Sequence, residues 1–424
     1  METPLTSNIR SNREPLGIVD YIRVGGYRAV HKALGSMSPA DVIGLITQSK
    51  LRGRGGAGFP TGVKWSLVPS RDAAPGPRYL VVNGDEMEPG TFKDRLLLEG
   101  DPHQMIEAVI IAAYAIQAET AFIFLRGEYH LAEHRLQQAL GQAELLGYIG
   151  ANILGSNFDL SIHIHTSGGR YICGEETALL TALEGKRAIP RAKPPFPQIS
   201  GLWGRPTVVN NVETLCNVPH IINNGSEWFS SLGIDGDGGT KIYGASGRVK
   251  QPGTWELPMG TPLREIIEDH AGGMQEGYEL RSVLPGGAST SFIMPNDIDV
   301  AMNYASVEKL GSRLGTGAVI VLDQRTCPVG MLRNLEHFFA QESCGWCTPC
   351  RDGLPWVERI LAGIEAGEGE AGDLDILAQH VGLLGPGRTF CAHAPGAMAP
   401  LASGLKYFRA DFEQHIHDKR CPWS

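Results

Sequence analysis

"LRGRGGAGFPTG", residues 51–62, is the stretch on which the reading of this chain turns. Gly53, Gly55 and Gly58 match G-x-G-x-x-G, the fingerprint of a dinucleotide-binding Rossmann turn. That pattern has meaning only when it follows a strand and opens a helix. Here residues 17–50 read as helical: Ser38-Pro39 is a start signal, and Val42, Ile43, Leu45 and Ile46 form a stripe of helical period. The following "FPTGVKW" reads as loop. The pattern matches but the context does not. Glycines still let backbone N–H groups approach a ligand closely, and successive N–H groups form an anion nest. Lys64 adds a point charge for a phosphate, and Phe59 a flat apolar face for a planar ring. A mobile loop with no ligand is the alternative.

Downstream, a strand at Tyr79–Val82 runs into "NGDEMEPG" (83–90), a turn rich in acceptors. Met105, Val109, Ala112 and Ala113 mark a helix, Phe122–Leu125 a short strand, and residues 129–146 another helix. Leu160, Ile162 and Ile164 alternate with polar neighbours, as in a strand buried on one face. Strands alternating with helices to about residue 230 predict an α/β domain with a largely parallel sheet. "RAKPPFPQISGLWGRP" (191–206) is too proline-rich for regular structure. It is either a stiff linker or a site wall, and Lys193 and Phe196 favour the wall. "DGDGG" (235–239) reads as a boundary, followed by short strands around one helix, residues 262–270. After Arg325 the chain reads as helices, with stripes at Met331, Leu332, Leu335, Phe338 and at Leu354, Val357, Ile360, Leu361. The expected divisions are 1–50 (helical), 51–235 (α/β), 236–325 (small mixed β) and 326–424 (helical bundle).

Bulk properties agree with several domains. A chain of 424 residues exceeds one ordinary core. Its 54 glycines, about one residue in eight against a usual ~7%, imply many tight turns. The net charge of −9, with no basic block, argues against nucleic acid as a partner. The longest apolar run, residues 108–116, is under half the ~20 residues of a spanning helix. The polar N-terminus lacks the apolar core of a signal peptide, so membrane association is expected only through partner proteins.

Four of the eight cysteines form a constellation. "CGWCTPC" spaces Cys344, Cys347 and Cys350 so that one loop wraps three thiolates around a compact inorganic core, and "RTFCAHAPG" supplies Cys391. Three close cysteines and one remote is an iron–sulfur pattern, [4Fe-4S] above all. Zinc is the competing occupant, though structural zinc sites usually pair ligands two and two. Cys173, Cys216, Cys327 and Cys421 lack such spacing and read as ordinary thiols. Asn83, Asp85, Glu86 and Glu88 lie at a strand's C-terminal end, where open α/β sheets bind ligands. Carboxylates there accept sugar hydroxyls and repel a 2′-phosphate, or simply make a solvated turn. "GGRYICGEETALL" (168–180) puts Glu175 and Glu176 in a helix's first turn, where capping alone would favour them. "VVNNVETL" (208–215) offers Asn210, Asn211 and Thr214.

Together, "LRGRGGAGFPTG", "NGDEMEPGTFKDR", "YICGEETALL", "KPPFP", "NNVETL", "ESCGWCTPCR" and "TFCAHAPGA" resemble the NADH-oxidising flavoprotein subunits of respiratory complex I, in order and over about residues 15–416. The resemblance implies a Rossmann-like FMN-binding domain, a small ubiquitin-like (β-grasp) domain and a helical bundle with one [4Fe-4S] cluster. It implies contacts toward FMN from Gly53, Gly55, Lys64, Asn83, Asp85, Gly174, Glu175, Asn210, Asn211 and Thr214, and cofactor contacts from Arg54, Gly56, Ala57 and Gly58 of the same loop. Phe59, Glu86, Glu88, Glu176, Lys193 and Phe196 would face NADH, with Tyr171 near the flavin ring. Leu67 departs from members that carry an aromatic there. A hydride would pass from NADH to FMN and single electrons onward to the cluster, with no side chain acting as acid or base. Implied partners are a [2Fe-2S] thioredoxin-like subunit and a multi-cluster ferredoxin-like subunit, on the cytoplasmic side of a bacterial inner membrane. The neighbouring alternative is the diaphorase subunit of an NAD-linked hydrogenase or formate dehydrogenase. Such chains often carry extra thioredoxin-like or ferredoxin modules, which this sequence lacks.

Overall fold

The computed structural model describes residues 2–423. The chain divides into two compact units. The first takes residues through Met87, Phe92–Tyr243 and Thr254–Gly260; the second takes Glu88–Thr91, Gly244–Gly253 and the chain from Thr261.

The first unit opens with α1 (Ile18–Arg23), α2 (Arg28–Ser36) and α3 (Pro39–Gln48). Ser38 starts α3 through a reciprocal capping box with Asp41, as its Ser-Pro signal predicts. The glycine loop follows α3. "FPTGVKW", expected as loop, instead folds into α4 (Thr61–Ser66). Its propensity is poor, but Trp65 is fully buried and its indole N–H donates to Asn210 Oδ1 at 2.9 Å, so packing overrides the local preference.

Then come β1 (Tyr79–Gly84), α5 (Lys93–Gly100), α6 (Pro102–Ile116), β2 (Thr120–Leu125), α7 (His130–Leu145), β3 (Ser161–Thr166), α8 (Glu176–Leu183), α9 (Pro197–Ser200), β4 (Thr207–Asn211), α10 (Val212–Asn224) and α11 (Ser226–Ser231). The proline tract 191–206 is therefore not wholly irregular. It holds the one-turn α9 and a 3₁₀ turn at Leu202–Gly204, with Pro197 at the first helical position, where its missing N–H costs nothing. All four strands pair in parallel, in the order β3-β2-β1-β4. α6 is buried almost all round and, with α2, α7 and α10, covers the sheet in the main core. β3 is an edge strand and only half buried.

The order matters for function. From β1 the chain winds one way to β2 and β3, and returns on the other side of β1 as β4. A crevice opens at such a reversal, outside the strands' C-terminal ends.

β5 (Thr240–Gly247) and β6 (Gly253–Pro258) lead into α12 (Leu263–Glu265), β7 (Leu280–Leu284), α13 (Tyr304–Lys309) and β8 (Ala318–Asp323). In the second unit β8 pairs parallel with the end of β5 and antiparallel with β7. The helix expected over 262–270 is α12 prolonged by a π turn, Ile266–His270. The bundle comprises α14 (Pro328–Glu342), α15 (Thr348–Glu365), α16 (Asp373–Leu384), α17 (His393–Tyr407) and α18 (Arg409–Asp418). α14 buries Val329, Leu332, Leu335 and Phe339 rather than the stripe through Met331 and Phe338, a rotation of one position.

Candidate functional site

The crevice is built from backbone upward. β1 and β4 align Asn83 with Asn211 at their C-terminal ends. The glycine loop lies over this point: a Cβ on Gly55 would meet Asn211 Cβ at 3.0 Å. The loop is pinched at its neck by Gly53 N–H to Phe59 O (2.9 Å) and Thr61 N–H to Leu51 O (2.9 Å). Gly56 and Gly58 adopt φ of 121° and 66°, which side chains resist. Arg54 N–H donates to Thr214 Oγ1 at 2.8 Å, and the Arg54 side chain is buried, donating to the carbonyls of Gly238 and Thr240. Thus the loop stands on α10, not at the start of a strand-to-helix turn.

A second glycine segment faces open space. Tyr171 and Gly174 form a 3₁₀ turn leading into α8, and a Cβ on Gly174 would meet no atom within 4 Å. Nothing inside the protein demands glycine there. An open cradle of this kind fits a flat group lying against backbone. Asn83 Nδ2 anchors the turn by donating to Cys173 O at 3.3 Å, and Asp85, buried, follows at the end of β1.

Four charges line this region. Lys64 Nζ reaches Glu176 Oε2 (2.6 Å) and Val209 O (2.7 Å). Lys193 Nζ reaches Glu175 Oε1 (2.9 Å) and Glu176 Oε1 (3.1 Å). Glu175 also caps α8, accepting from the N–H groups of Thr177 and Ala178. Capping and ion pairing therefore coexist in one carboxylate. Burial works to raise the Glu176 carboxyl, but Lys64 and Lys193 outweigh it and hold the group below its usual range. Phe59 and Phe196 are 49% and 52% exposed, which leaves aromatic faces available. Leu67 is 50% exposed as well.

Glu86 and Glu88 part company. Glu86 is buried in the first unit: Oε1 accepts from Lys93 N and Asp94 N (both 2.9 Å), and Oε2 from Arg95 N (3.2 Å) and Tyr129 OH (3.0 Å). It anchors the start of α5. Burial, with Asp94 nearby, pushes its carboxyl up to about 7. Glu88 belongs to the second unit, where Oε1 accepts from Ser289 N at 2.7 Å.

Sequence reasoning missed a buried charge network. Glu213, fully buried, pairs with Lys93 (2.8 Å) and Lys241 (3.3 Å), and Lys93 pairs with Asp94 (2.7 Å). Asp94 in turn accepts from Asn211 Nδ2 at 2.6 Å, while Lys241 Nζ approaches Arg54 O at 3.5 Å. Burial lowers the Lys241 amine to about 8, with Glu213 opposing the fall. The signal was present in "FKDR" and "NNVETL", but charged residues at those positions read as solvated without the fold.

In the second unit Cys347 is the N-cap of α15, Cys350 lies in its first turn, and Cys391 precedes α17. Burial, first of all, raises the Cys350 thiol to about 12, and Cys347, Cys391 and Cys344 add to the rise, so all four sulfurs share one neighbourhood. A donor set of four thiols suits an iron–sulfur cluster.

Residues 46–220 match the Nuo51 FMN-binding domain, 330–415 the iron-sulfur binding region of NADH-ubiquinone oxidoreductase-F, and 244–293 the SLBB domain. The chain is 53% identical over 413 residues to the F subunit of NADH-quinone oxidoreductase in Escherichia coli K12, covering 97% of this chain and 93% of that one. The chain belongs to the family of NADH-quinone oxidoreductase F subunits. The F subunit of Mycobacterium bovis is 46% identical over 426 residues, covering 99% of this chain and 95% of that one. Among solved structures, an NAD+-reducing [NiFe]-hydrogenase superposes with a TM-score of 0.82 at 32% identity, over 97% of this chain and 68% of its own. The matched FMN-binding domain thus spans the glycine loop and crevice of this oxidoreductase, and the matched iron-sulfur region spans the four cysteines. Among the described residues no helix is long and apolar enough to cross a membrane.

Proposed function

We propose that the crevice between β1 and β4 receives NADH beside FMN, and that electrons leave through a [4Fe-4S] cluster on Cys344, Cys347, Cys350 and Cys391. Membership of the F-type oxidoreductase family carries the oxidoreductase activity and the cofactors. The observation that supports the crevice assignment is the convergence of Gly55, Asn83 and Asn211 at the sheet's reversal point.

FMN, when bound, supplies the conversion between a two-electron hydride and single electrons. The protein's part is placement. Gly53, Arg54, Gly55, Gly56, Ala57 and Gly58 present backbone to the flavin, with Lys64, Asn83, Asp85, Gly174, Glu175, Asn210, Asn211 and Thr214 around it and Tyr171 near the ring. Phe59, Phe196, Lys193, Glu176 and Glu86 form the nucleotide side. Glu86 contributes charge rather than a hydrogen bond, since both its oxygens are already engaged. No side chain is required as acid or base.

The finer reading is that the chain is the electron-input subunit of a translocating NADH:quinone oxidoreductase, peripheral on the cytoplasmic side of a bacterial inner membrane. Its neighbours there would be a [2Fe-2S] thioredoxin-like and a multi-cluster ferredoxin-like subunit. The hydrogenase likeness supports a diaphorase alternative, but 32% identity to that protein weighs less than 53% to the NADH-quinone oxidoreductase relatives. Anaerobic NADH should bleach the bound flavin within one turnover and reduce the cluster. A flavin that stays oxidised under excess NADH would defeat the proposal.

A further inference from the structure

Three side chains outside the cofactor sites converge in the second unit. Cys327 caps α14, His415 lies on α18, and Cys421 lies beyond α18. Their ligand atoms all fall within 4.8 Å of one another. Cys327 Sγ and His415 Nε2 are 3.3 Å apart.

The histidine's second nitrogen fixes the tautomer of the neutral ring. Nδ1 lies 2.6 Å from Asp411 O, and a carbonyl only accepts, so Nδ1 carries the proton and donates. In the neutral ring Nε2 then turns its lone pair toward the two sulfurs. Such backing by a carbonyl is the usual arrangement behind a metal-ligating imidazole. His415 is fully buried and stacked on Trp423, with centroids 5.6 Å apart and planes at 15°. Arg281 braces the surroundings by bonding Asp411 and Thr326 O, and by lying over the Trp423 ring. On the other side Gly330 N–H donates to Cys327 Sγ at 3.3 Å, which fixes the sulfur at the start of α14.

One lone pair accepts one S–H. The two thiols and the imidazole can satisfy one another as a chain of weak hydrogen bonds, whereas a soft dication binds all three groups at once. Zn–S bonds of ~2.3 Å and Zn–N bonds of ~2.0–2.1 Å in a tetrahedron would separate S from N by ~3.6 Å and S from S by ~3.8 Å. The Cys327–His415 spacing of 3.3 Å lies within a few tenths of an ångström of that shell, and the two spacings to Cys421 are under 4.8 Å. We propose that Cys327, His415 and Cys421 form a zinc site with its fourth position left to water. It clasps the chain's last residues to the first turn of the bundle, so that the helices carrying the cluster cysteines are closed at both ends by one ion.

The test uses the full chain with its FMN and cluster, stripped of loosely held metal with EDTA and desalted. Zinc, iron and flavin are counted per chain for the wild type and for Cys421→Ser. The clasp predicts about one zinc in the wild type, a zinc X-ray absorption edge fitted by two sulfurs and one nitrogen, and at least tenfold less zinc in Cys421→Ser with iron and flavin unchanged. Cys327→Ser must lose zinc in the same way. A wild type without stoichiometric zinc, zinc that survives either substitution, or a Cys327–Cys421 disulfide in the non-reduced peptide map would each overturn the assignment.

Discussion

Lys64→Met tests the cofactor crevice most directly, because Lys64 makes two bonds that separate structure from binding. The side chain is 16% exposed and donates to Glu176 at 2.6 Å and Val209 O at 2.7 Å. Methionine keeps the length and removes both. Glu176 is not stranded, since Lys193 remains at 3.1 Å. The loss is therefore smaller than the 3–5 kcal/mol of an abandoned buried charge, about 2 kcal/mol for one charge-assisted bond partly made good. For a unit of this size that lowers Tm by roughly 4–8 °C.

Binding should fall further than stability alone implies. Lys64 and Lys193 balance Glu175 and Glu176, so the substitution leaves one net negative charge where an anionic cofactor docks. A lost charge-assisted contact of about 1.5–3 kcal/mol weakens FMN roughly 10- to 150-fold. Flavin fluorescence titration of apoprotein measures the Kd, and differential scanning fluorimetry the Tm. Lys64→Arg retains the charge and should recover most of the affinity. If Lys64→Met melts earlier yet binds FMN within twofold of wild type, Lys64 is only a strut for Glu176 and the flavin-side role is refuted.

Cys347→Ser should lose the cluster's iron while NADH still bleaches the flavin; unchanged electron export to partner subunits would disprove the ligand assignment. Glu86→Gln should raise the NADPH/NADH rate ratio at pH 8 but scarcely at pH 6, because the wild-type carboxyl, held near 7, is largely neutral at the lower pH. A ratio independent of pH in both proteins would dismiss that charge. Glu107, buried and accepting from Tyr21 OH and Ala29 N, is raised to about 7 chiefly by desolvation. Its neutral form stabilises the fold fully below its unfolded value of 4.5, and the benefit fades as pH climbs through about 7. Relative to wild type, Glu107→Gln should gain on the order of 3 kcal/mol between pH 4.5 and 7.5; parallel urea-melt profiles across that range would contradict the shift.

The order of strands and helices was legible because apolar segments of strand length, as in β2, alternate with longer ones of helix length, as in α6. So was the rejection of a Rossmann turn, since α3 ends where a strand was needed. α4 escaped because its stability comes from Trp65 meeting Asn210, a contact 145 residues apart in sequence. Glu86 and Glu88 looked like one acidic turn, yet backbone N–H groups of α5 take the first and Ser289 takes the second. Spacing cannot report which acceptor a distant backbone will claim. The approach of Cys327 to Cys421 was hidden for the same reason: it is made by α18 returning to the start of α14.

The buried network explains why a neutral crevice should attract anions at all. Lys64, Lys193, Glu175 and Glu176 cancel, so the bias must come from beneath. There Arg54, Lys93 and Lys241 face Asp94 and Glu213, with Glu86 only half ionised near neutrality. By that count about half a positive charge is left uncompensated under the glycine loop, in a medium that screens it poorly. Burial, opposed by Glu213, lowers Lys241 to about 8, and Lys93 and Arg54 add to the fall. A phosphate arriving at the loop's N–H groups would relieve it, so FMN binding should return Lys241 toward its usual value. Apoprotein should therefore release a proton near pH 8 that the flavin-loaded protein retains, and an FMN affinity that is flat from pH 7 to 9 would show that the field beneath the loop does not reach the ligand.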